Sequence, residues 1–199
     1  NVACFPEREC SVQRRNQKVV EEAPSPFVHQ RPELRARMQA EAAQLATAVG
    51  YTSAGTVEML VDATTADFYF LEMNTRLQVE HPVTEAVSDQ DLVALMLRVA
   101  DGQALPSELV GSVPPVGWAI ESRIYAEDAA RGFVPSTGSL TAYANPPSSV
   151  EFFHASDVRV DAAVEDGSEV GIHYDPMISK VITRGEDRAA ALAAQRALL

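Results

Sequence analysis

Residues 68–81 read FYFLEMNTRLQVEH, from Phe68 to His81. From 72 to 80 the even positions are Glu72, Asn74, Arg76, Gln78 and Glu80, and the odd ones from 71 are Leu71, Met73, Thr75, Leu77 and Val79. An extended chain sends these two sets to opposite faces. The stretch therefore predicts a strand with one packed apolar face. The other face carries two carboxylates, two amides and a guanidinium. Asn is a poor strand former, and this row lacks the Thr and Lys of an ordinary solvated face. The pattern points to chemistry rather than to a half-exposed sheet surface.

The preceding run, Thr56–Val61 (TVEMLV), also reads as a strand, and Asp62–Asp67 reads as a hairpin connection. Pairing the two strands brings Glu58 close to Glu72. Two adjacent carboxylates repel unless a proton or a cation lies between them. Glu58, Glu72 and Asn74 make a hard-oxygen set, which suits Mg²⁺ carrying substrate phosphates. Zinc is disfavoured, because His81 is the only soft ligand nearby. Arg76 and Glu80 lie four apart on the same row. The guanidinium fork can hold a planar oxyanion and the carboxylate can take its proton; the plainer alternative is a salt bridge.

The 199 residues as a whole have an ordinary globular composition, 46% hydrophobic and 22% charged. No apolar run approaches the roughly 18 residues that a membrane helix needs, so no membrane partner is expected. A net charge of −12 argues against a broad nucleic-acid surface. Residues 1–37 depart from this balance, with seven cations (Arg8, Arg14, Arg15, Lys18, Arg31, Arg35, Arg37) against five acids. That segment suggests a small anionic ligand. Lys18 is one of only two lysines, with Lys180, and supplies a compact point charge within the cluster. Cys4 and Cys10 form neither a disulfide framework nor a metal-knuckle spacing, so a reducing compartment is expected.

Arg31–Val49 predicts a helix, with Pro32 in its first turn, Leu34, Met38, Leu45 and Val49 near one face, and Gly50 at its end. Ser88 and Asp91 resemble a capping box opening a helix through Leu92, Leu95, Met96 and Val99 that ends near Gly102. Residues 103–116 read as a connection and Trp118–Tyr125 as a strand. From Ser136 to Ile182 short strands alternate with turns at 136–138, 145–147 and 165–167. Glu186–Leu199 reads as a helix without a stop signal. With a first residue other than Met, this marks the chain as a piece of a longer polypeptide. The fold class is α+β.

Glu72–Glu85 (EMNTRLQVEHPVTE) resembles the signature of biotin carboxylases within the ATP-grasp superfamily. Residues 7–24, 53–58 (SAGTVE), 121–128 (ESRIYAED), 134–138 (VPSTG) and 174–180 (YDPMISK) resemble the same family in the same order, so the resemblance covers nearly the whole chain. It implies the C-terminal half of an ATP-grasp domain over 1–112, an antiparallel sheet with helices. A truncated biotin carboxylase C-terminal domain would follow over 113–199.

By resemblance, Glu58, Glu72 and Asn74 match the ligands of Mg²⁺ (or Mn²⁺) and ATP. Gln13, Asn16 and Lys18 match positions at the nucleotide, and Leu60 and Leu71 its apolar contacts. Lys18, Arg76, Gln78, Val79 and Glu80 match the bicarbonate pocket, with Glu80 as general base. Arg123 matches the arginine that stabilises the biotin enolate. Asn16 within RRNQK (14–18), LEMNTRL (71–77) and the DGSEV turn (166–170) resemble propionyl-CoA carboxylase α-subunits in particular.

No Gly-rich phosphate loop or biotinylation segment occurs in these residues, so biotin is implied as a carried substrate on another domain or subunit. Implied partners are a biotin carboxyl carrier domain and a carboxyltransferase subunit, in a homodimer or larger carboxylase assembly. The implied location is the mitochondrial matrix in a eukaryote and the cytoplasm in a bacterium. Two alternatives stay open: another ATP-grasp ligase such as carbamoyl-phosphate synthetase, and a non-catalytic assembly piece. His29, His154 and His173 match nothing catalytic, and packing is expected of Cys4 and Cys10.

Overall fold

The computed structural model describes residues 1–146 and 157–199; the predicted turn at 145–147 extends beyond them and His154 lies outside them. In chain order the longer elements are β1 (Glu9–Arg14), β2 (Gln17–Ala23), α1 (Pro32–Ala48), β3 (Thr56–Val61), β4 (Phe68–Asn74), α2 (His81–Ser88), α3 (Leu92–Ala100), β5 (Trp118–Tyr125), β6 (Val158–Ala162), β7 (Met177–Gly185) and α4 (Arg188–Leu198). Helix and strand mix as an α+β chain. Two compact units divide it, the first made of Asn1–Glu9 and Glu22–Trp118, the second of Cys10–Glu21 and Ala119–Leu199.

In the first unit, β3 and β4 pair antiparallel as the alternation predicts. Asp62 forms the turn: its Oδ1 accepts the Thr64 N–H at 2.7 Å and the Thr65 N–H at 3.2 Å. These backbone donors hold the Asp62 carboxyl below its ordinary pKa. Helix α1 starts at Pro32 and ends before Gly50, whose φ of +62° is left-handed and carries no Cβ penalty. Leu34 is buried, whereas Val49 is 62% exposed, so the apolar stripe does not reach the final turn.

The alternation fails twice, once inside the hairpin and once beyond it. A register shift falls between Glu58 and Met59, and Leu71 is the extra residue on β4. Leu71 is exposed rather than packed, as are Tyr69 and Phe70 beside it, so neither face of this part of β4 is covered. The strand then stops at Asn74, and residues 75–80 bend into a turn closed by His81 N–H to Gln78 C=O at 3.1 Å. Pro82 in the first turn of α2 explains the break, because its fixed φ suits a helix start. Gln78 and Glu80 are consequently buried, the reverse of an exposed polar row.

Helix α2 was not among the sequence expectations, and Ser88 ends it instead of capping the next one: its Oγ donates to the Thr84 carbonyl at 2.7 Å. Asp91 alone caps α3, accepting the Ala94 N–H at 2.8 Å. The buried Glu85 supports the same start by accepting the Leu92 N–H at 2.8 Å.

The second unit is built on a five-stranded sheet in the order β6-β7-β5-β2-β1. Arg15 and Asn16 join β1 to β2 with φ of 52° and 66°. Positive φ at both central residues is the two-residue hairpin geometry that Asn tolerates well. Strands β6 and β7 pair antiparallel with Asp161 opposite Lys180. Helix α4 follows β7 directly. A Cβ at Gly185 would lie 2.5 Å from the Ala191 nitrogen, so only glycine permits that approach. Thr183 Oγ1 donates to Gln195 Oε1 at 2.8 Å and Gln195 Nε2 to the Val181 carbonyl at 3.2 Å, fastening helix to strand.

Candidate active site

The β3–β4 hairpin sets Glu58 directly across from Glu72 and Thr56 across from Asn74. The Asn74 amide lies between the carboxylates, with Nδ2 donating to Glu58 Oε1 at 3.2 Å and to Glu72 Oε1 at 3.0 Å. Gln78 Nε2 donates to the same Glu58 oxygen at 2.7 Å. Amide donors thus offset the repulsion expected of two facing carboxylates. Glu58 and Glu72 present the one or two carboxylates that Mg²⁺ takes when phosphates and water complete its shell, while the Asn74 amide meets them through its nitrogen. Among the described residues no group of three or more His, Cys, Asp or Glu side chains is placed to hold a metal ion.

Leu60 shares the Glu58 side of β3 by alternation. Leu60 and Leu71 are both exposed, beside Tyr69 and Phe70. Arg76, also exposed, donates to the Leu77 carbonyl at 3.2 Å and to Asn74 Oδ1 at 3.4 Å. Gln78, Val79 and Glu80 form the turn into α2, with Glu80 at its N-cap position and only 2% exposed. His81 accompanies them, its Nδ1 3.0 Å from the Gln78 carbonyl and its Nε2 3.8 Å from Glu85 Oε2. Motif reading passed over Arg8. Its Nη1 donates to Thr84 Oγ1 at 2.9 Å, and its Nη2 to Thr56 Oγ1 at 2.9 Å and to Gln78 Oε1. Only membership of the cationic segment singled it out in the sequence.

The second unit holds Gln13, Asn16, Lys18 and Arg123. Gln13 Nε2 donates to the Cys10 carbonyl at 2.8 Å, Asn16 sits in the β1–β2 turn, and Lys18 lies on β2. Arg123 on β5 reaches the neighbouring β2, where Nη2 and Nε meet Glu21 Oε1 at 2.5 and 2.7 Å. Burial alone would lower the Arg123 pKa, but the Glu21 charge and Tyr125 hold it above the ordinary arginine value, so it is a permanent cation. Glu21, fully buried, is a second residue that motif reading missed.

The cationic segment is largely committed to internal partners. Arg35 pairs with Glu7 at 2.6 Å and Arg14 with Glu127 at 2.5 Å, while Arg31 and Arg37 lie over the rings of Phe27 and Phe68. His29 stacks edge-on against Trp118 at 5.1 Å, a packing role. Burial raises the Cys4 thiol pKa, as expected of a packed cysteine. No helix of the described residues is long and apolar enough to cross a membrane.

Comparison with known proteins adds a family to this geometry. Residues 1–108 match the model of the carbamoyl-phosphate synthase L chain, ATP binding domain, and residues 121–199 match the biotin carboxylase C-terminal domain. The chain is 55% identical to the mitochondrial propionyl-CoA carboxylase alpha chain of Caenorhabditis briggsae and 51% identical to the mitochondrial methylcrotonoyl-CoA carboxylase subunit alpha of rice, Oryza sativa subsp. japonica. Each alignment takes in 96% of the chain but 25% of the relative, so the chain spans about a quarter of those proteins. The solved biotin carboxylase domain of a thermophilic 2-oxoglutarate carboxylase, bound to bicarbonate, aligns with a TM-score of 0.89 at 39% identity, over 100% of this chain and 42% of that one. The first model is named for carbamoyl-phosphate synthases and the second for biotin carboxylases. The chain belongs to the biotin carboxylase family of ATP-grasp ligases.

Proposed function

We propose that this chain is the second half of a biotin carboxylase that carboxylates protein-linked biotin with MgATP and bicarbonate. Residues 1–112 would complete the ATP-grasp domain and 113–199 would begin the C-terminal domain. The observation that carries the reading is the Glu58–Glu72 register pair, bridged by Asn74 and tied to Gln78. Glu58, Glu72 and Asn74 would hold Mg²⁺ or Mn²⁺, whose charge offsets that of the ATP phosphates. Lys18, with Gln13 and Asn16 in its segment, serves the nucleotide; Leu60 and Leu71 offer it exposed apolar contacts.

Arg76, Gln78 and Val79 orient the bicarbonate anion, and Lys18 is assigned to the same anion by resemblance. The buried Glu80 takes the bicarbonate proton as the anion attacks the γ-phosphoryl group, giving carboxyphosphate and ADP. Carboxyphosphate breaks down to CO₂ and phosphate, and the phosphate accepts the N1′ proton of biotin. Arg123 stabilises the resulting enolate while N1′ attacks CO₂, in keeping with catalysis by positioning and fixed charge. The carrier domain and a carboxyltransferase subunit complete the cycle, in a homodimer or larger assembly. The matrix is its site in a mitochondriate source and the cytoplasm in a bacterium. Propionyl-CoA is the proposed acceptor, supported by the C. briggsae relative and by the sequence around Asn16.

The decisive experiment uses the complete polypeptide that carries these residues. Bicarbonate-dependent ATP cleavage stimulated by free biotin is the expected result; cleavage indifferent to biotin favours another ATP-grasp ligase. No cleavage, with a defined oligomer by light scattering, favours an assembly role. Carboxylation of propionyl-CoA against 3-methylcrotonoyl-CoA by the holoenzyme tests the acceptor.

A further inference from the structure

The Arg8 guanidinium draws three separate segments of the first unit together: Thr56 on β3, Gln78 on the turn and Thr84 on α2. Arginine carries only donors. The end of the Gln78 amide that faces Arg8 is therefore the oxygen, which places the nitrogen toward Glu58 at 2.7 Å. One Nε2 hydrogen serves Glu58, leaving the other for an anion. Glu58 and Arg8 thus hold the two ends of the same amide and set which way it faces. We infer that Arg8 is a positioning residue for bicarbonate: it fixes the donor end of Gln78 toward the anion through a three-point fork that lysine cannot reproduce. This rests on the proposed biotin carboxylase reading.

The test measures KM for bicarbonate, KM for MgATP and kcat in the complete carboxylase, for wild type, Arg8→Ala, Arg8→Lys, Gln78→Leu and the Arg8→Ala/Gln78→Leu pair. Losing a charge-assisted hydrogen bond that orients the pocket is expected to raise KM for bicarbonate about 10- to 100-fold. KM for MgATP should stay within about twofold, since loss of Arg8 leaves the carboxylate pair in place. Arg8→Ala should add little in the Gln78→Leu background, because both changes remove the same donor. Arg8→Lys should show most of the defect, and it carries the test should Arg8→Ala fail to fold. Unchanged KM for bicarbonate in either Arg8 variant overturns the inference. So does a loss confined to kcat and thermal stability, or full additivity with Gln78→Leu. An inactive wild type would instead count against the biotin carboxylase reading, so the two failures are distinguishable.

Discussion

Replacing Arg123 by alanine separates a group that acts on biotin from one that only braces a sheet. The guanidinium meets Glu21 Oε1 through two nitrogens, at 2.5 and 2.7 Å, and Glu21 is 0% exposed. Removing one partner of such a buried pair costs about 3–5 kcal/mol, because a carboxylate stays in a low-dielectric site without its cation. At about 2–4 °C per kcal/mol for a chain of this size, that lowers Tm by roughly 6–20 °C. Arg123→Ala and Glu21→Gln should both lose stability, Glu21→Gln less, since its neutral amide still accepts a hydrogen bond. Catalysis should divide them differently. A donor that meets charge only in the transition state is worth roughly 3–4 kcal/mol, two to three decades in rate. Arg123→Ala should therefore lose that much biotin carboxylation while biotin-independent ATP cleavage falls far less, and Glu21→Gln should keep most of both. The assay runs the two activities side by side in the complete carboxylase, at a temperature below the lowest variant Tm. Equal loss of both activities in Arg123→Ala, or a Glu21→Gln variant as defective as Arg123→Ala, would refute the enolate role and leave a structural ion pair.

Glu72→Gln in the complete protein should weaken Mg²⁺-dependent ATP use far more than folding. Its metal-free Tm should hold or rise, because one of two facing charges is gone; a large metal-free drop with normal Mg²⁺ dependence would make Glu72 a structural partner. Asp161 meets Arg159 at 2.7 Å and Lys180 at 3.1 Å, and although burial alone would raise its pKa, these two cations hold it below the ordinary carboxylate value. A depressed folded pKa contributes stability above the unfolded value near 3.9 that is lost as pH falls through the folded one. Asp161→Asn should destabilise by about 2 kcal/mol at neutral pH, discounted for partial water access, and should flatten the acid limb below about pH 4 in thermal unfolding across pH. The 199 residues by themselves, which contain no Gly-rich phosphate loop, should show no bicarbonate-dependent ATP cleavage in a coupled assay free of host carboxylase.

The hairpin and its carboxylate pair were legible because period-two alternation, an Asx turn at Asp62 and a short connection are local signals. So was Trp118–Tyr125, whose bounds the structure reproduces. The route from Asn74 to Ser88 was not, since polar–apolar alternation continues in the letters after the backbone has left the sheet. Pro82 was the available sign of the break. The bulge at Leu71 escaped because it inserts one residue without any mark in the pattern. Gln78 and Glu80 read as members of one polar strand face but are buried, as the turn carries them inward. Arg8 and Glu21 were invisible for a different reason. Their partners lie 70 and 102 residues away, beyond the range of periodicity or capping rules.

The route of the chain bears on how this piece can be cut, moved or inherited. It enters the second unit at Cys10, leaves it after Glu21 and returns at Ala119. Protease nicking or gene fusion anywhere in the intervening stretch would strand β1 and β2 with the wrong partner and leave β5 at a raw sheet edge. Exposed sheet edges invite aggregation. A recombinant half beginning after residue 118 should therefore be poorly soluble unless the 9–23 hairpin is supplied in trans or grafted back by circular permutation. The same arrangement restrains evolution: no single crossover delivers the five-stranded sheet without the stretch between Glu21 and Ala119.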